Sequence, residues 1–405
     1  MKLRLSLPAA LMGLCLSLVA TGEAQAASFT FTKIADNSAS FSSFFEAPAI
    51  NNQGTVAFRT SEGIFAGNGE TITTISNTSI SSQSPISASS DISINDEGSV
   101  AFNAELEQIT APGDGRPIFR KGIFTSNGTT TNTIRNFSTD GRTRTIIDSP
   151  SINNQGTVAF SSSFGFSSES SSVTISNGTT STEIAFGIDR PFDGTLGLSV
   201  ESNSLNDQGI VAFRRGLSGG GSGIFTGNST TTTTIADTSG IFSSFGAGSI
   251  NNEGTVAFNA DLDAGGEGIF TGNGTATNTI ADTSGIFSNF GAASINDSGI
   301  VAFLAGLDAG GTGIFTGSNP LTDKVISTGD TLFGSTVTSL GFFREGLNNP
   351  GQVAFFASLA DGTTGIFRAD HQGVPGEPPI DVPEPASMLG LLAFGTFGAF
   401  VKRRK

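Results

Sequence analysis

Few side chains in this sequence have the chemistry of a general base, a nucleophile or a soft metal ligand. The 405-residue chain contains one cysteine, Cys15, and one histidine, His371. Serine- and cysteine-dependent hydrolysis uses a histidine base, and a zinc site usually takes several histidine or cysteine ligands. His371 stands at the edge of a proline-rich stretch, so we interpret it as a solvated linker residue. The inventory excludes these enzyme classes and predicts no catalytic residue and no organic cofactor.

Carboxylates are the remaining candidates, because a glycosidase needs only two acids at a set separation. Asp261, Asp263 and Glu267 lie in one glycine-rich loop, and related loops further along hold Asp308 and Asp361. We interpret these acids first as solvated turn residues. A calcium loop is one alternative, since flexible oxygen-rich loops suit Ca²⁺, although the loop lacks an Asp-x-Asp-x-Asp-Gly run. The other alternative is the acid pair of a secreted glycan hydrolase or lyase.

The net charge argues against nucleic acid as a partner. The formal net charge is −15, of which residues 1–26 contribute +1 and the four terminal basic residues +4, so the body between them carries −20. A phosphate-binding surface needs clustered Lys and Arg, and the body has no such cluster. Its 35 Phe, without Trp or Tyr, indicate that Phe supplies the large side chains of a buried core.

The first 26 residues have the three parts of a secretory signal. Lys2 and Arg4 form the positive start, residues 5–20 are apolar, and residues 24–26 read Ala-Gln-Ala, a small-x-small cleavage pattern. We predict cleavage after Ala26. An uncleaved anchor helix is the alternative.

The C-terminus combines a proline-rich linker (371–382), the tripeptide Pro-Glu-Pro, an apolar run (388–401) and the basic cluster Lys-Arg-Arg-Lys. As a helix the apolar run spans roughly 21 Å, at about 1.5 Å per residue, which is short for a bilayer core about 30 Å thick. The basic cluster stays cytoplasmic by the positive-inside tendency. We therefore predict that this transmembrane segment holds the exported body at the inner membrane only transiently.

This order of parts resembles the PEP-CTERM sorting signal. The resemblance implies recognition by an exosortase-type sorting protease, with processing at Pro383, Glu384 and Pro385. It also implies a Gram-negative-type bacterium whose PEP-CTERM proteins accompany exopolysaccharide and biofilm-matrix production. An ordinary C-terminal anchor that is left in place is the alternative.

Between the two ends the motif Asn-x-x-Gly-x-x-Ala-Phe recurs seven times at intervals of 44 to 58 residues. An Asn side chain bonds to the backbone ahead of it, and Gly adopts positive φ, so each copy predicts a hairpin turn. The Val and Phe that follow predict a half-buried strand. The copies begin at Asn51, Asn95, Asn153, Asn206, Asn251, Asn296 and Asn348.

Two further motifs recur between the turns: Gly-Ile-Phe in six units, and Thr-Ile-Ala-Asp at 234–237 and 279–282 with Lys-Ile-Ala-Asp at 33–36 as a variant. Gly-Ile-Phe predicts a second strand and is degenerate in the third unit, where residues 172–174 read Ser-Val-Thr. Thr-Ile-Ala-Asp predicts a third strand, and the aspartates that end it, Asp36, Asp237 and Asp282, are interpreted as turn-forming residues. A fourth strand leads into the next Asn turn.

Four short strands per roughly 45 residues are typical of a β-propeller blade. If the strands are labelled a to d, with a ending at the Asn turn, the body begins with a d-type strand at 29–36 and ends with strand c at 365–368. A ring whose last blade is shared between the chain ends explains this offset, because closure removes a sheet edge. We predict an all-β, seven-bladed β-propeller over residues 27–370. A β-solenoid or a string of small β-units is the alternative.

The motif is also similar to a bacterial tandem-repeat family that is defined by Asn-x-x-Gly-x-x-Ala-Phe units, and the resemblance covers residues 29–368. It implies the fold and a surface location, since its members carry surface-anchoring tails but no assigned activity. We predict an exported surface or matrix protein with a non-catalytic binding or structural role, extracellular polysaccharide being the candidate partner. The alternative is a secreted carboxylate-dependent glycan-active enzyme, which should bring acids and arginines together at the propeller axis.

Overall fold

The computed structural model describes ten stretches of the chain. The predicted signal and its cleavage site at Ala26 lie outside them, as do the sorting tail with Pro383, Glu384 and Pro385 and the predicted membrane span at 388–401. Within the described residues, no helix is long and apolar enough to cross a membrane. The described stretches are 28–38, 41–45, 48–77, 91–105, 109–110, 117–139, 145–164, 170–188, 200–217 and 220–372.

The described residues form seven antiparallel sheets, one per blade. In blades 1 to 6 the strands a to d follow one another in chain order from the axis outward, and in blade 7 the outermost strand comes from the N-terminus. Blades 1 to 3 consist of β2 (Ala49–Ile50), β3 (Val56–Thr60), β4 (Gly63–Gly67) and β5 (Ile72–Asn77); β6 (Ser93–Ile94), β7 (Val100–Glu105), β9 (Pro117–Ser126) and β10 (Thr131–Thr139), with β8 (Ile109–Thr110) beside β9; and β11 (Thr145–Ile152), β12 (Val158–Phe164), β13 (Ser170–Ser176) and β14 (Ser181–Ile188). Blades 4 to 6 consist of β15 (Val200–Leu205), β16 (Val211–Gly216), β17 (Ser222–Gly227) and β18 (Thr232–Asp237); β19 (Phe242–Ile250), β20 (Val256–Leu262), β21 (Glu267–Gly272) and β22 (Thr277–Asp282); and β23 (Phe287–Ile295), β24 (Val301–Leu307), β25 (Thr312–Phe315) and β26 (Lys324–Ser327). Blade 7 consists of β27 (Thr331–Leu332), β28 (Ser335–Gly341), β29 (Val353–Leu359), β30 (Thr364–Gln372) and β1 (Ser28–Asp36).

Phenylalanine fills the space between neighbouring blades. The Ala-Phe of each strand b is buried, and in blade 5 the ring of Phe258 stacks on that of Phe270 in strand c, with centroids 6.0 Å apart. A buried phenylalanine is worth about 1.5–3 kcal/mol relative to an exposed one. Because every blade repeats this pair of strands, the repeat motif is the core sequence of the fold. The seven strand-b rings, all at most 1% exposed, are Phe58, Phe102, Phe160, Phe213, Phe258, Phe303 and Phe355.

Blade 7 is closed by the N-terminal strand, which confirms the predicted seven-bladed propeller. Strand β1 pairs antiparallel with β30, from Ser28 opposite Gln372 to Asp36 opposite Gly365. This pairing joins the two ends of the body and excludes the open solenoid. Since β30 ends at Gln372, two residues beyond the predicted boundary, His371 lies in a strand rather than in the linker. It is exposed and contacts Phe29 edge to face at 5.3 Å.

Candidate functional site at the propeller axis

The first Asn of each motif closes a ring of hydrogen bonds around the axis. Its Oδ1 caps its own turn, as Asn51 Oδ1 does by accepting from Thr55 N at 2.9 Å. Its Nδ2 donates to the backbone oxygen of the first Asn in the next blade, at 2.9–3.3 Å in all seven blades. The last of these bonds, from Asn348 to Asn51 O, joins blade 7 to blade 1. These seven side chains are 2–5% exposed, so we call them the inner ring.

The second residue of each motif forms an outer ring at the same end of the axis. Each backbone N–H donates to the side-chain Oδ1 of the next member at 2.8–2.9 Å, and this chain of bonds also closes on itself. Asparagine and aspartate alternate, so every carboxylate lies between two amides. The members in order are Asn52, Asp96, Asn154, Asp207, Asn252, Asp297 and Asn349.

Together the two rings line a concave mouth with a cavity of about 130 Å³. The residue before each inner-ring Asn, Ile or Leu in every blade, also lines it. The mouth therefore combines amide and carboxylate groups with aliphatic side chains. Such a surface suits ligands that carry many hydroxyl groups, since amides and carboxylates donate to or accept from hydroxyls.

Below the rings, serine hydroxyls connect strand a of one blade to strand a of the next. Ser151 Oγ accepts from Leu205 N at 3.0 Å, and equivalent bonds join blade 2 to 3, 4 to 5, 5 to 6 and 6 to 7. Blade 7 has Gly346 at the serine position. There Ile50 N of blade 1 donates instead to Glu345 O at 2.9 Å. Blade 1 has Ala49 at the serine position, so the junctions on both sides of blade 1 differ from the other five.

The same segment of blade 7 sends two charged side chains into the axial channel. The Arg344 side chain is 2% exposed, and its Nη2 lies 3.1 Å from Asp91 Oδ2 of blade 2. Glu345 Oε1 accepts from Ser151 Oγ of blade 3 at 3.1 Å. Blades 5 and 6 carry Ala247 and Ala292 at the position of Arg344, which leaves space for its side chain. These two side chains therefore connect blade 7 to blades 2 and 3 across the axis, and we call them the plug.

The electrostatics of the plug are dominated by burial. Burial raises the pKa of Glu345, while the neighbouring guanidinium of Arg344 and the Ser151 hydroxyl oppose the rise. Glu345 keeps part of its surface accessible although protein surrounds it, as expected for a group that lines a channel. Arg344 Nε is buried without a hydrogen-bond partner among the described residues, and its guanidinium lies 4.5 Å from the Phe343 ring centroid.

The carboxylates that sequence reasoning selected lie elsewhere, at the opposite ends of the strands. Asp261 and Glu267 face each other across the β20–β21 hairpin. Ser244 Oγ donates to Asp261 at 2.5 Å, and Phe290 N donates to Glu267 at 3.3 Å. Burial, with a contribution from Asp261, raises the pKa of Glu267.

Asp263 belongs to the same loop and is exposed, and its backbone N–H donates to Ile241 O at 3.0 Å. Asp308 repeats this contact with Ile286 O in blade 6, and Asp361 Oδ1 accepts from Thr363 N. In the part of the chain that the structure describes, no three His, Cys, Asp or Glu side chains are grouped to hold a metal ion. Calcium binding by Asp261, Asp263 and Glu267 stays a prediction.

The aspartates after strand d form the turns that the sequence indicated. Asp237 Oδ1 accepts from Ser239 N at 2.8 Å, and Asp282 Oδ1 accepts from Ser284 N at 2.9 Å. These serine hydrogen bonds lower the pKa of both aspartates. Asp36 makes the same bond to Ser38, so the hydrogen-bonded turn accounts for all three.

Sequence reasoning missed the axial residues Asp91, Arg344 and Glu345. One signal was available, since blade 7 reads Arg-Glu-Gly-Leu-Asn where blades 5 and 6 read Ala-Gly-Ser-Ile-Asn and Ala-Ala-Ser-Ile-Asn. The alternation of the outer ring was also visible in the seven motifs. That the alternating residues form one ring becomes apparent only when the seven turns are known to meet at one axis.

The propeller is similar in fold to several solved structures. YCF48 from Cyanidioschyzon merolae is 13% identical, with 84% of this chain and 98% of that chain covered and a TM-score of 0.43. The Dos1 propeller is 10% identical, with coverages of 84% and 95% and a TM-score of 0.44. A puromycin-hydrolyzing peptidase from Mycobacterium tuberculosis is 11% identical, with coverages of 78% and 50% and a TM-score of 0.45. Comparison with curated proteins finds no match.

Two protein families match the sequence itself. Residues 381–405 match the PEP-CTERM protein-sorting motif, which confirms the predicted sorting signal and indicates an exported, surface-sorted protein. Residues 94–343 and 280–388 match a family described as being of unknown function, and the first match alone covers more than half of the chain. The chain belongs to this family, DUF7453.

Proposed function

We propose that this protein is a non-catalytic surface or matrix protein whose propeller binds extracellular polysaccharide at the axial mouth. Export through an exosortase-type system follows from the sorting motif. In this proposal the helix at 388–401 anchors the chain until a sorting protease cuts near Pro383, Glu384 and Pro385, after removal of the signal at Ala26. The processed protein then remains at the cell surface or in the matrix.

The observation that carries the proposal is the lining of the mouth by side chains from all seven blades. Polysaccharides present rows of hydroxyls, which both donate and accept hydrogen bonds, and C–H faces that pack on aliphatic side chains. The mouth offers both kinds of surface. Because the two rings hold the lining in place before a ligand arrives, binding requires little ordering of side chains.

Residues 27–372 contain the complete ring and are the fragment to test. We expect this fragment to bind at least one extracellular polysaccharide in a glycan array and in co-sedimentation, without releasing reducing ends. Absence of binding across neutral, amino and acidic polysaccharides would refute the proposal. A fragment that lacks β1 provides the control for binding by an unfolded chain.

The axial plug favours one second candidate, a glycan hydrolase or lyase. Glu345 has a raised pKa and lies beside Arg344 and Asp91 at the axis, where an enzyme was expected to gather its charges. A carboxyl with a raised pKa can serve as a general acid. If the protein cleaves a polysaccharide, Glu345→Gln should abolish product formation, whereas Asp263→Asn in the distant loop should leave it unchanged. Equal activity in both variants would exclude Glu345.

A further inference from the structure

The outer ring uses almost all of its own side-chain N–H donors, and the small surplus of donors is confined to one place. Each of its four Asn side chains has two amide N–H donors. Asn154 donates both, to Asp96 at 2.9 Å and Asp207 at 3.1 Å, and Asn252 donates both, to Asp207 at 3.2 Å and Asp297 at 3.0 Å.

Asn52 and Asn349 differ from these two. Asn52 donates one N–H to Asp96 at 3.0 Å, and Asn349 donates one to Asp297 at 2.7 Å. The second N–H of each has no partner in the described stretches of the chain. The two residues are neighbours, since Asn349 N donates to Asn52 Oδ1 at 2.8 Å. The ring therefore has two adjacent unused donors, and we call this pair the seam.

The seam follows from arithmetic. Asparagine and aspartate can alternate perfectly only in a ring with an even number of members, and this ring has seven. Because four of the seven are asparagines and three are aspartates, two asparagines must meet at least once, and they meet where blade 7 joins blade 1. Asn349 is exposed and Asn52 is half-buried, so a ligand can reach both.

We propose that the seam is where the mouth holds its ligand, and that the ligand offers uncharged oxygen acceptors, as the hydroxyls or amide carbonyls of a neutral polysaccharide do. This inference rests on the proposed function and specifies its ligand class. A carboxylate on the ligand would meet the three outer-ring carboxylates and a body of net charge −20, and like charges repel. A hydroxyl accepts from an amide N–H and donates to a neighbouring aspartate oxygen, so it satisfies both groups.

The test compares seam variants with matched asparagine variants outside the mouth. Asn52→Ala and Asn349→Ala remove the unused donors together with the ring bonds of these side chains, whereas Asn228→Ala and Asn273→Ala remove side chains that cap exposed turns and do not line the mouth. One hydrogen bond of about 1 kcal/mol corresponds to roughly fivefold in affinity. We expect the double seam variant to bind neutral polysaccharide roughly 25-fold more weakly, and the double control variant to bind within about twofold of the unmodified protein. Melting temperatures identify any variant that fails to fold.

Asn349→Asp supplies a second probe, because it keeps the size of the side chain while replacing the donor with a carboxylate. It should weaken binding as much as Asn349→Ala. Equal losses in the seam and control variants, or equal binding of an acidic polysaccharide such as alginate and a neutral glucan, would overturn the inference while leaving polysaccharide binding established. If the unmodified protein binds no polysaccharide, the proposed function fails as well.

Discussion

Replacing a single inner-ring asparagine should destabilise the whole propeller. Asn251 is 5% exposed and connects two blades. Its Oδ1 accepts from Thr255 N at 2.9 Å, and its Nδ2 donates to Asn296 O at 3.0 Å. Asn251→Ala removes both bonds without changing the backbone conformation that the turn requires.

The loss of stability depends on which hydrogen bonds remain to the two backbone groups that Asn251 contacts. Asn296 O still accepts from Gly299 N at 3.0 Å, so the loss there is about 1 kcal/mol for one hydrogen bond. Thr255 N is half-buried and has no second partner among the described residues, so leaving it unsatisfied costs about 1–3 kcal/mol. The sum is about 2–4 kcal/mol. Asn251→Asp should cost at least as much, because a carboxylate oxygen would then face Asn296 O.

Asn273→Ala is the matched control. Asn273 caps an exposed turn in the same blade, where its Oδ1 accepts from Thr275 N at 3.1 Å. Water can replace it, so we expect a loss below about 1 kcal/mol. Urea unfolding followed by circular dichroism gives the free energy of unfolding of residues 27–372 and of each variant. If Asn251→Ala costs no more than Asn273→Ala, the inner ring contributes nothing beyond local turns and the reasoning is wrong.

Three further changes test other parts of the structure. Gly254→Val should lower the free energy of unfolding by about 1–2 kcal/mol. Gly254 has φ of 77° and no atom lies within 4 Å of an added Cβ, so the loss comes from backbone strain alone. An unchanged urea midpoint would contradict the turn. Deleting residues 27–36 should yield oligomers or unfolded chain on size-exclusion chromatography, because the loss of β1 exposes the edge of β30. A stable monomer would contradict closure by β1. Burial raises the pKa of Glu345 in the folded state. The stabilisation from this carboxyl is therefore full below the pKa of an unfolded Glu, about 4.3, and is lost as the pH rises through the raised pKa. Glu345→Gln should remove that part of the pH dependence, and an unchanged profile would show that Glu345 does not titrate differently on folding.

The blades were predictable because their signals are local and repeated. Each signal, such as the Asn turn or the buried Ala-Phe, depends on a few neighbouring residues. Because the unit occurs seven times, a strand is predictable even where its motif is degenerate, as at residues 172–174, which form part of β13. Closure by β1 was predictable for a different reason. The order of the motifs shows that the body begins with a d-type strand and that its last unit lacks strand d.

The axial chemistry was not predictable in the same way. Arg344 and Asp91 are 253 residues apart in the chain, and neither belongs to the repeat motif. Their contact depends on the radius of the ring and on the small residues that other blades place at the axis, such as Ala247 and Ala292. Inner-ring bonds likewise join residues one blade apart, whereas the sequence predicted only the bond that each Asn makes within its own turn.

Closure and the proposed binding site are parts of one structure. The bonds from Asn348 to Asn51 and from Asn349 to Asn52 each span 297 residues, so both form only when blade 7 meets blade 1. Arg368, in the strand that pairs with β1, also crosses this junction, since its Nη1 donates to Gly54 O at 2.6 Å. The seam therefore exists only in the closed ring, and a ligand held there must stabilise closure, because it binds the closed form alone. A neutral polysaccharide that binds at the seam should raise the melting temperature of the unmodified protein, and it should lose this effect with the double variant Asn52→Ala/Asn349→Ala. Binding without any rise in melting temperature would place the ligand on a surface that does not depend on the closed ring.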